Sequence, residues 1–141
     1  MAQSYPIPSA SSEADLHYAD ACLFALGTIP RLGLRSVNSL LQRFTLAQLC
    51  EGDDHYLVNN GLSASIAQQV VNMDVNFAHQ QLTYYRDNDI NIISMASPFY
   101  PSLLFELPDP PLILFCRGDV TLLEQQQVAI VGSRGASVSG K

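Results

Sequence analysis

Near the end of the 141-residue sequence, four small or β-favouring apolar residues, Val128-Ala129-Ile130-Val131, run into Gly132-Ser133-Arg134-Gly135-Ala136-Ser137-Val138-Ser139-Gly140-Lys141. These residue types suit an anion. Gly132, lacking a Cβ, lets the backbone come close, its neighbours' N–H groups and the Ser133 hydroxyl donate, and the Arg134 guanidinium pairs bidentately with phosphate oxygens. Ser137 stands where it would cap a following helix and aim that helix's free N–H groups at the same anion. A solvated strand-to-helix turn with an exposed arginine would use the same residues. The spacing excludes two familiar phosphate loops. Gly132-Ser133-Arg134-Gly135 lacks the second glycine of G-x-G-x-x-G, and Gly140-Lys141 comes too late for a P-loop, so neither NAD nor ATP is indicated and no cofactor is expected.

A loop of this kind needs a strand to deliver it. Leu112-Ile113-Leu114-Phe115-Cys116 reads as a buried strand, Arg117-Gly118-Asp119 as a turn, and Val120 to Glu124 as a short segment leading into a third strand at Val128 to Val131. Before them, Ile90 to Met95 is short and β-branched, Ser97 to Pro101 closes it, Ser102 to Leu107 fits a single helical turn, and Pro108 to Pro111 forbids regular structure. Uniformly apolar strands imply a sheet covered on both faces, the habit of α/β domains.

The first part of the chain is helical in pattern. Leu16, Ala19, Leu23 and Leu26 with Cys22 form one stripe that Gly27 is expected to end, and Leu34, Val37, Leu40, Leu41 and Phe44 form a second, so the two helices make a hairpin around Ile29-Pro30-Arg31-Leu32-Gly33. Thr45 with Gln48 is a capping box for a short helix burying Leu46 and Leu49. Ser65 with Gln68 suggests another, opening a long helical region to about Asn88 that Asp74 can break. Its apolar residues fall into two stripes, Ile66, Val70, Met73, Phe77, Tyr84 and Val71, Val75, Ala78, Leu82, Tyr85, a face wide enough for burial on two sides. The expected organisation is a tail at 1–12, a helical domain at 13–88, and the start of an α/β domain at 89–141.

Composition narrows the function. A net charge of -6 argues against coating nucleic acid by bulk attraction, so any such contact must be local. Of the seven basic residues, Arg31, Arg35 and Arg43 cluster around the hairpin and offer weak phosphate contacts. Three cysteines, Cys22, Cys50 and Cys116, are odd in number and far apart in sequence, which points away from a disulfide framework or zinc ribbon and towards a reducing cytoplasm. Asp53-Asp54-His55 reads as a capped turn, because no second ligand cluster follows at zinc spacing, and His17 and His79 stand alone. No metal and no catalytic residue is assigned. The apolar, uncharged run from Ile90 to Phe105 is interrupted by Pro98 and Pro101, and Met1 to Ser12 lacks the features of a signal peptide, so no membrane partner is expected.

The succession of Ile29-Pro30-Arg31-Leu32-Gly33, Tyr100-Pro101-Ser102-Leu103-Leu104, Pro108-Asp109-Pro110-Pro111, Leu114-Phe115, Arg117-Gly118-Asp119 and Val128-Ala129-Ile130-Val131-Gly132-Ser133-Arg134 resembles the N-terminal part of the DNA-processing protein A family, DprA or Smf. The resemblance spans about Leu16 to Lys141. It implies an all-α SAM-like, helix-hairpin-helix-like domain followed by the truncated start of a Rossmann-like α/β domain. It also implies binding of single-stranded DNA without sequence preference, protection of incoming strands in natural transformation, loading of the recombinase RecA, homodimer formation in the full-length protein, and no enzymatic activity. By the same resemblance Gly132, Ser133 and Arg134 line a DNA pocket. Ser137 and Gly140 belong to its continuation, in which Ser139 replaces the usual tyrosine and removes a ring that would stack.

In the hairpin, Arg31 occupies the position of the first glycine in helix-hairpin-helix proteins, where a side chain obstructs close approach to a DNA backbone. A scaffold role is therefore favoured for this element over direct binding. Only Val128 to Lys141 remain for a βαβ unit of some thirty residues, so a fragment is expected, with the dimer and RecA surfaces elsewhere. Two other readings are a nucleotide-processing enzyme resembling the lysine-decarboxylase-like phosphoribohydrolases, and a helical protein-interaction module at residues 13 to 88.

Overall fold

The computed structural model describes residues 12–129 and 131. The element around which the others gather is α1 (Glu13–Thr28). The Ser12 side chain accepts from the Asp15 N–H to start it, and the helix runs one residue past Gly27, which is helical and does not cap it. Ala19 to Leu23, Ala25 and Leu26 are all buried, because α1 is packed on several sides, by α2 (Leu34–Leu41), α3 (Leu46–Glu51), α6 (Val75–Asp87) and both strands. A helix buried nearly all round must be apolar nearly all round, and the middle of α1 is, apart from Asp20.

The capping grammar is obeyed closely. Thr45 and Gln48 exchange both bonds of the box, Thr45 N to Gln48 Oε1 at 2.8 Å and Gln48 N to Thr45 Oγ1 at 3.2 Å. Asp53 accepts from Tyr56 N to start α4 (Asp54–Asn59), so Asp53-Asp54-His55 is a capped turn as expected. At α5 (Ala64–Val71) the cap is Ser63, two residues before the expected Ser65. A serine at either position can cap, and Leu62, buried just ahead of Ser63, sets the phase. The break expected near Asp74 is present, with Asp74 accepting from Phe77 N at the head of α6.

That break changes which side chains are buried. The 72–74 turn re-phases α6 relative to α5, so Ala78 and Leu82 are buried against Ala21 and Ala25 of α1, while Phe77, Tyr84 and Val71 are exposed. The expectation of burial on two sides is corrected accordingly: one face is covered, chiefly by α1.

After α6, β1 (Asn91–Ser94) pairs antiparallel with β2 (Ile113–Cys116), Ile92 opposite Phe115 and Ile93 opposite Leu114. Met95 N extends the ladder to Leu112 O. Coverage of the sheet is uneven: the adjacent residues Ile93 and Ser94 of β1, which point to opposite faces, are both buried, whereas Phe115 of β2 stays half-exposed beside the Phe24 and Tyr85 rings, so both faces are covered at one end of the sheet and one of them only in part at Phe115. Of the third expected strand, Val128, Ala129 and Val131 are described and lie in no strand, and Val128 and Val131 are exposed. Among the described residues β2 has β1 as its only ladder partner. Among the described residues, six α-helices followed by a small two-stranded sheet are compatible with a helical domain leading into the start of an α/β domain. A single buried cluster joins Leu23, Leu26, Val37, Leu49 and Leu57 to Ile93, Met95, Tyr100 and Leu112, and so runs through residues on both sides of position 88.

Candidate nucleic-acid interface

Gly132, Ser133, Arg134, Ser137 and Gly140 lie outside the described residues. The structure describes the path that leads to them. Gly118 takes φ +105° at the turn after β2, a conformation open to glycine, and Asp119 then caps a 3-10 turn, Val120–Glu124. Thr121 donates twice to Asp119 Oδ1, from Oγ1 at 2.7 Å and from N at 2.9 Å. The hydroxyl bond first, and the backbone bond second, hold the Asp119 carboxyl below its ordinary value. Gln127 Nε2 donates to the carbonyls of Leu122 and Leu123, folding residues 125–127 back on the turn. Together with Pro101, Leu103, Leu104 and Leu114, residues 123–128 border an open groove of ≈ 910 Å³. Its apolar side chains are well exposed, Leu103 at 74% and Val128 at 90%.

The three hairpin arginines are placed differently from one another. Arg31 sits at φ +66°, so the position that resembles a hairpin glycine has the left-handed backbone a glycine would favour. Its neighbours Ile29 and Leu32 are buried, which fixes the turn while Pro30 and Arg31 remain outside. Arg35 Nε lies 3.8 Å from Asp109 Oδ2, an exposed and therefore weak pair. Arg43 is committed within the fold: Nη2 donates to the Asn60 carbonyl at 2.9 Å and its guanidinium lies 5.4 Å from the Phe44 ring centroid. Of the three, Arg31 and Arg35 face solvent with room to meet a phosphate, and Arg43 would have to leave Asn60 to do so.

Sequence spacing overlooked three groupings. Asp20, 1% exposed, receives Arg86 Nη2 at 2.5 Å, with Ser94 of β1 bearing on the same carboxyl. A signal was present, since Asp20 falls on the apolar stripe between Leu16 and Leu23. The second is a clamp on the proline-rich segment: buried Asn38 donates to Pro110 O at 3.1 Å, and Tyr100 donates through its hydroxyl to Pro111 O at 2.6 Å. The third joins Tyr18, Cys22, Cys50 and Glu51, where α1 meets α3. His17 is also less isolated than its sequence context suggests, with Glu13 Oε1 3.9 Å from Nε2. Among the described residues no three His, Cys, Asp or Glu side chains gather to hold a metal ion, and no helix is long and apolar enough to cross a membrane.

Comparison with known proteins bears on the same C-terminal stretch. Residues 91–141 match the family model described as DNA recombination-mediator protein A. Over 61 residues the chain is 43% identical to the DNA processing protein DprA of Bacillus subtilis (strain 168), a stretch that is 43% of this chain and 20% of that protein. The chain thus matches a fifth of the length of this curated relative. No solved structure matches.

Proposed function

We propose, from the match of residues 91–141 to the family model described as DNA recombination-mediator protein A, that this chain acts in DNA recombination by binding single-stranded DNA without sequence preference. The observation that supports it is the family match itself, which includes Gly132, Ser133 and Arg134. In this reading Arg134 pairs with a backbone phosphate, Gly132 and Ser133 supply donors beside it, and Ser137 and Gly140 shape the continuation of the loop. Residues 13–88, in a SAM-like arrangement, are a helical scaffold, and residues 89–141 open the Rossmann-like part. Arg31 and Arg35 add weak, salt-sensitive phosphate contacts. Loading of a RecA-type recombinase and dimer formation belong to the same proposal and rest on the family. No covalent chemistry is assigned to the chain.

The test is a fluorescence-anisotropy titration of labelled oligothymidine at stepped salt, with the Bacillus subtilis relative as comparator. Binding by this chain is expected to be weaker than by the relative, to fall with salt, and to drop a further several-fold on Arg134→Ala, since each phosphate contact adds about one unit to the salt slope. Equal affinity of wild type and Arg134→Ala at every salt concentration would remove Arg134 from the site.

A further inference from the structure

Two adjoining cavities lie between the hairpin turn after α1 and the helix α5 with the turn that follows it. They share Ile29, Pro30 and Gln69 and so form one cleft, ≈ 430 Å³ on the side of α1 and ≈ 240 Å³ on the side of Arg31. Together they fall within the roughly 300–1,000 Å³ typical of small-ligand sites. The cleft runs from Ala25 to Asp74, wholly outside the stretch that carries the family match.

Its two ends differ in chemistry. Around the smaller end, Arg31, Ser36 and Ser65 bring one guanidinium and two hydroxyls, and among the described residues none of these three side chains has a hydrogen-bond or ion-pair partner. No acidic side chain lines that end, although the chain carries 13 acidic residues against seven basic ones. Free donors, one of them charged, with no carboxylate competing for them, suit a phosphate group.

The larger end has an apolar floor of Ala25, Ile29 and Met73. Its rim presents acceptors. The amide nitrogens of Gln69 and Asn72 donate to the Ser65 and Gln68 carbonyls, at 3.1 and 2.8 Å, which leaves their oxygens for a ligand. Asp74 accepts from Phe77 N through Oδ1 at 2.8 Å and keeps Oδ2. A flat floor rimmed by acceptors suits a heterocycle that brings donors. Guanine, with N1–H and an amino group side by side, meets that rim best, and thymine, with one N–H between two carbonyls, meets it least well. The Asp74 charge also sets the direction, because a phosphate is repelled from that end and drawn to Arg31.

We propose that this cleft binds a guanine nucleotide, its phosphate at Arg31, Ser36 and Ser65 and its base over Ala25, Ile29 and Met73 with the donor edge towards Asp74. The chemistry is that of a guanosine phosphate, whether free or held within a single strand. The site does not use the Gly-Ser-Arg loop, so failure of either reading leaves the other standing.

The experiment is an NMR titration of the isotope-labelled whole chain with dGMP, deoxyguanosine, dTMP and inorganic phosphate. Addition of dGMP is expected to move resonances of residues 29–36 and 65–74. Deoxyguanosine and inorganic phosphate should each bind about tenfold more weakly, the loss expected when a charge-assisted contact or the base is removed. Arg31→Gly should weaken dGMP about tenfold without lowering the melting temperature, which separates loss of the ligand from loss of the fold. Asp74→Asn keeps a side chain able to cap α6 and should erase the preference for dGMP over dTMP. Arg134→Ala should leave the whole pattern unchanged. A pentanucleotide of thymidines around one guanosine distinguishes the sources: the same shifts at lower concentration than dGMP assign the cleft to a strand, and weaker ones assign it to the free nucleotide. Equal affinity for dGMP and deoxyguanosine, equal affinity for dGMP and dTMP, full affinity in Arg31→Gly, or shifts centred outside the cleft would overturn the proposal.

Discussion

Arg86 Nη2 meets Asp20 Oδ2 at 2.5 Å, tying the end of α6 to the middle of α1 at a point where Asp20 is 1% exposed. A charge so placed is tolerable only with its partner. Arg86→Met should therefore cost about 3–5 kcal/mol, since it leaves an uncompensated buried carboxylate, and Asp20→Asn combined with Arg86→Met should recover most of that loss. Urea denaturation of the two single variants and the double variant measures both. Equal destabilisation by Arg86→Met and the double variant would mean that the pair contributes nothing beyond packing.

The same carboxyl makes stability depend on pH. Burial pushes Asp20 above its ordinary 3.8, and the Ser94 hydroxyl and then the Arg86 charge pull it only partly back. A raised folded value means the native state holds the proton more tightly than the unfolded chain. Its contribution is thus fully present below pH 3.8 and is lost as pH rises through the folded value. Asp119 has the opposite sign: its lowered carboxyl contributes above pH 3.8 and loses that contribution as pH falls. In melting scans from pH 3 to 7, Asp20→Asn should make the curve rise more steeply with pH, and Asp119→Asn should flatten it. The same change of slope in both would contradict the assignment.

Asn38 holds the segment before β2 in place by donating to Leu34 O and Pro110 O, both at 3.1 Å. Asn38→Ala should cost about 1–3 kcal/mol, because buried carbonyls lose their donor. Asn38→Asp should cost more, since a carboxylate donates nothing and brings a buried charge. Chemical denaturation checks the order, and Asp milder than Ala would show that the amide donor is unimportant.

Arg31→Gly should stabilise the chain by about 0.5–1 kcal/mol, since Arg31 holds φ +66° with its side chain in solvent. The same variant should weaken DNA binding slightly at low salt through the loss of one cation. A drop in melting temperature would show that the Arg31 side chain is engaged in the fold.

Residues 13–88 produced alone should melt well below the whole chain. Ile93, Met95, Tyr100 and Leu112 are each 7% exposed or less within the cluster that holds Leu23, Leu26 and Val37, and the shortened chain would leave that part of the cluster open to water. An unchanged melting temperature by calorimetry would establish the helical segment as independently folding.

Much of the local structure was legible from residue order. Thr45 with Gln48, Asp53 and Asp74 act within three residues of their targets, so their caps could be read without a fold, as could the two short strands and the turn at Gly118. Errors arose where a choice depended on packing. Ser63 rather than Ser65 caps α5, and the break before Asp74 turned Phe77 and Tyr84 outward, because helix phase is set by what the helix packs against. The apolar run of β2 suggested two covered faces, yet periodicity cannot say how completely a neighbour covers each one, and Phe115 stays half-exposed beside Phe24 and Tyr85 although Ile93 and Ser94, on opposite faces, are both buried.

By itself, then, the sequence determined the succession of capped helices, the short strands and the turn at Gly118, because each depends on residues a few positions apart. Tertiary structure alone decided that Asp20 meets Arg86, Asn38 meets Pro110 and Tyr18 meets Glu51. These pairs are separated by tens of residues, and long-range contact follows from how apolar faces pack, which no local pattern encodes.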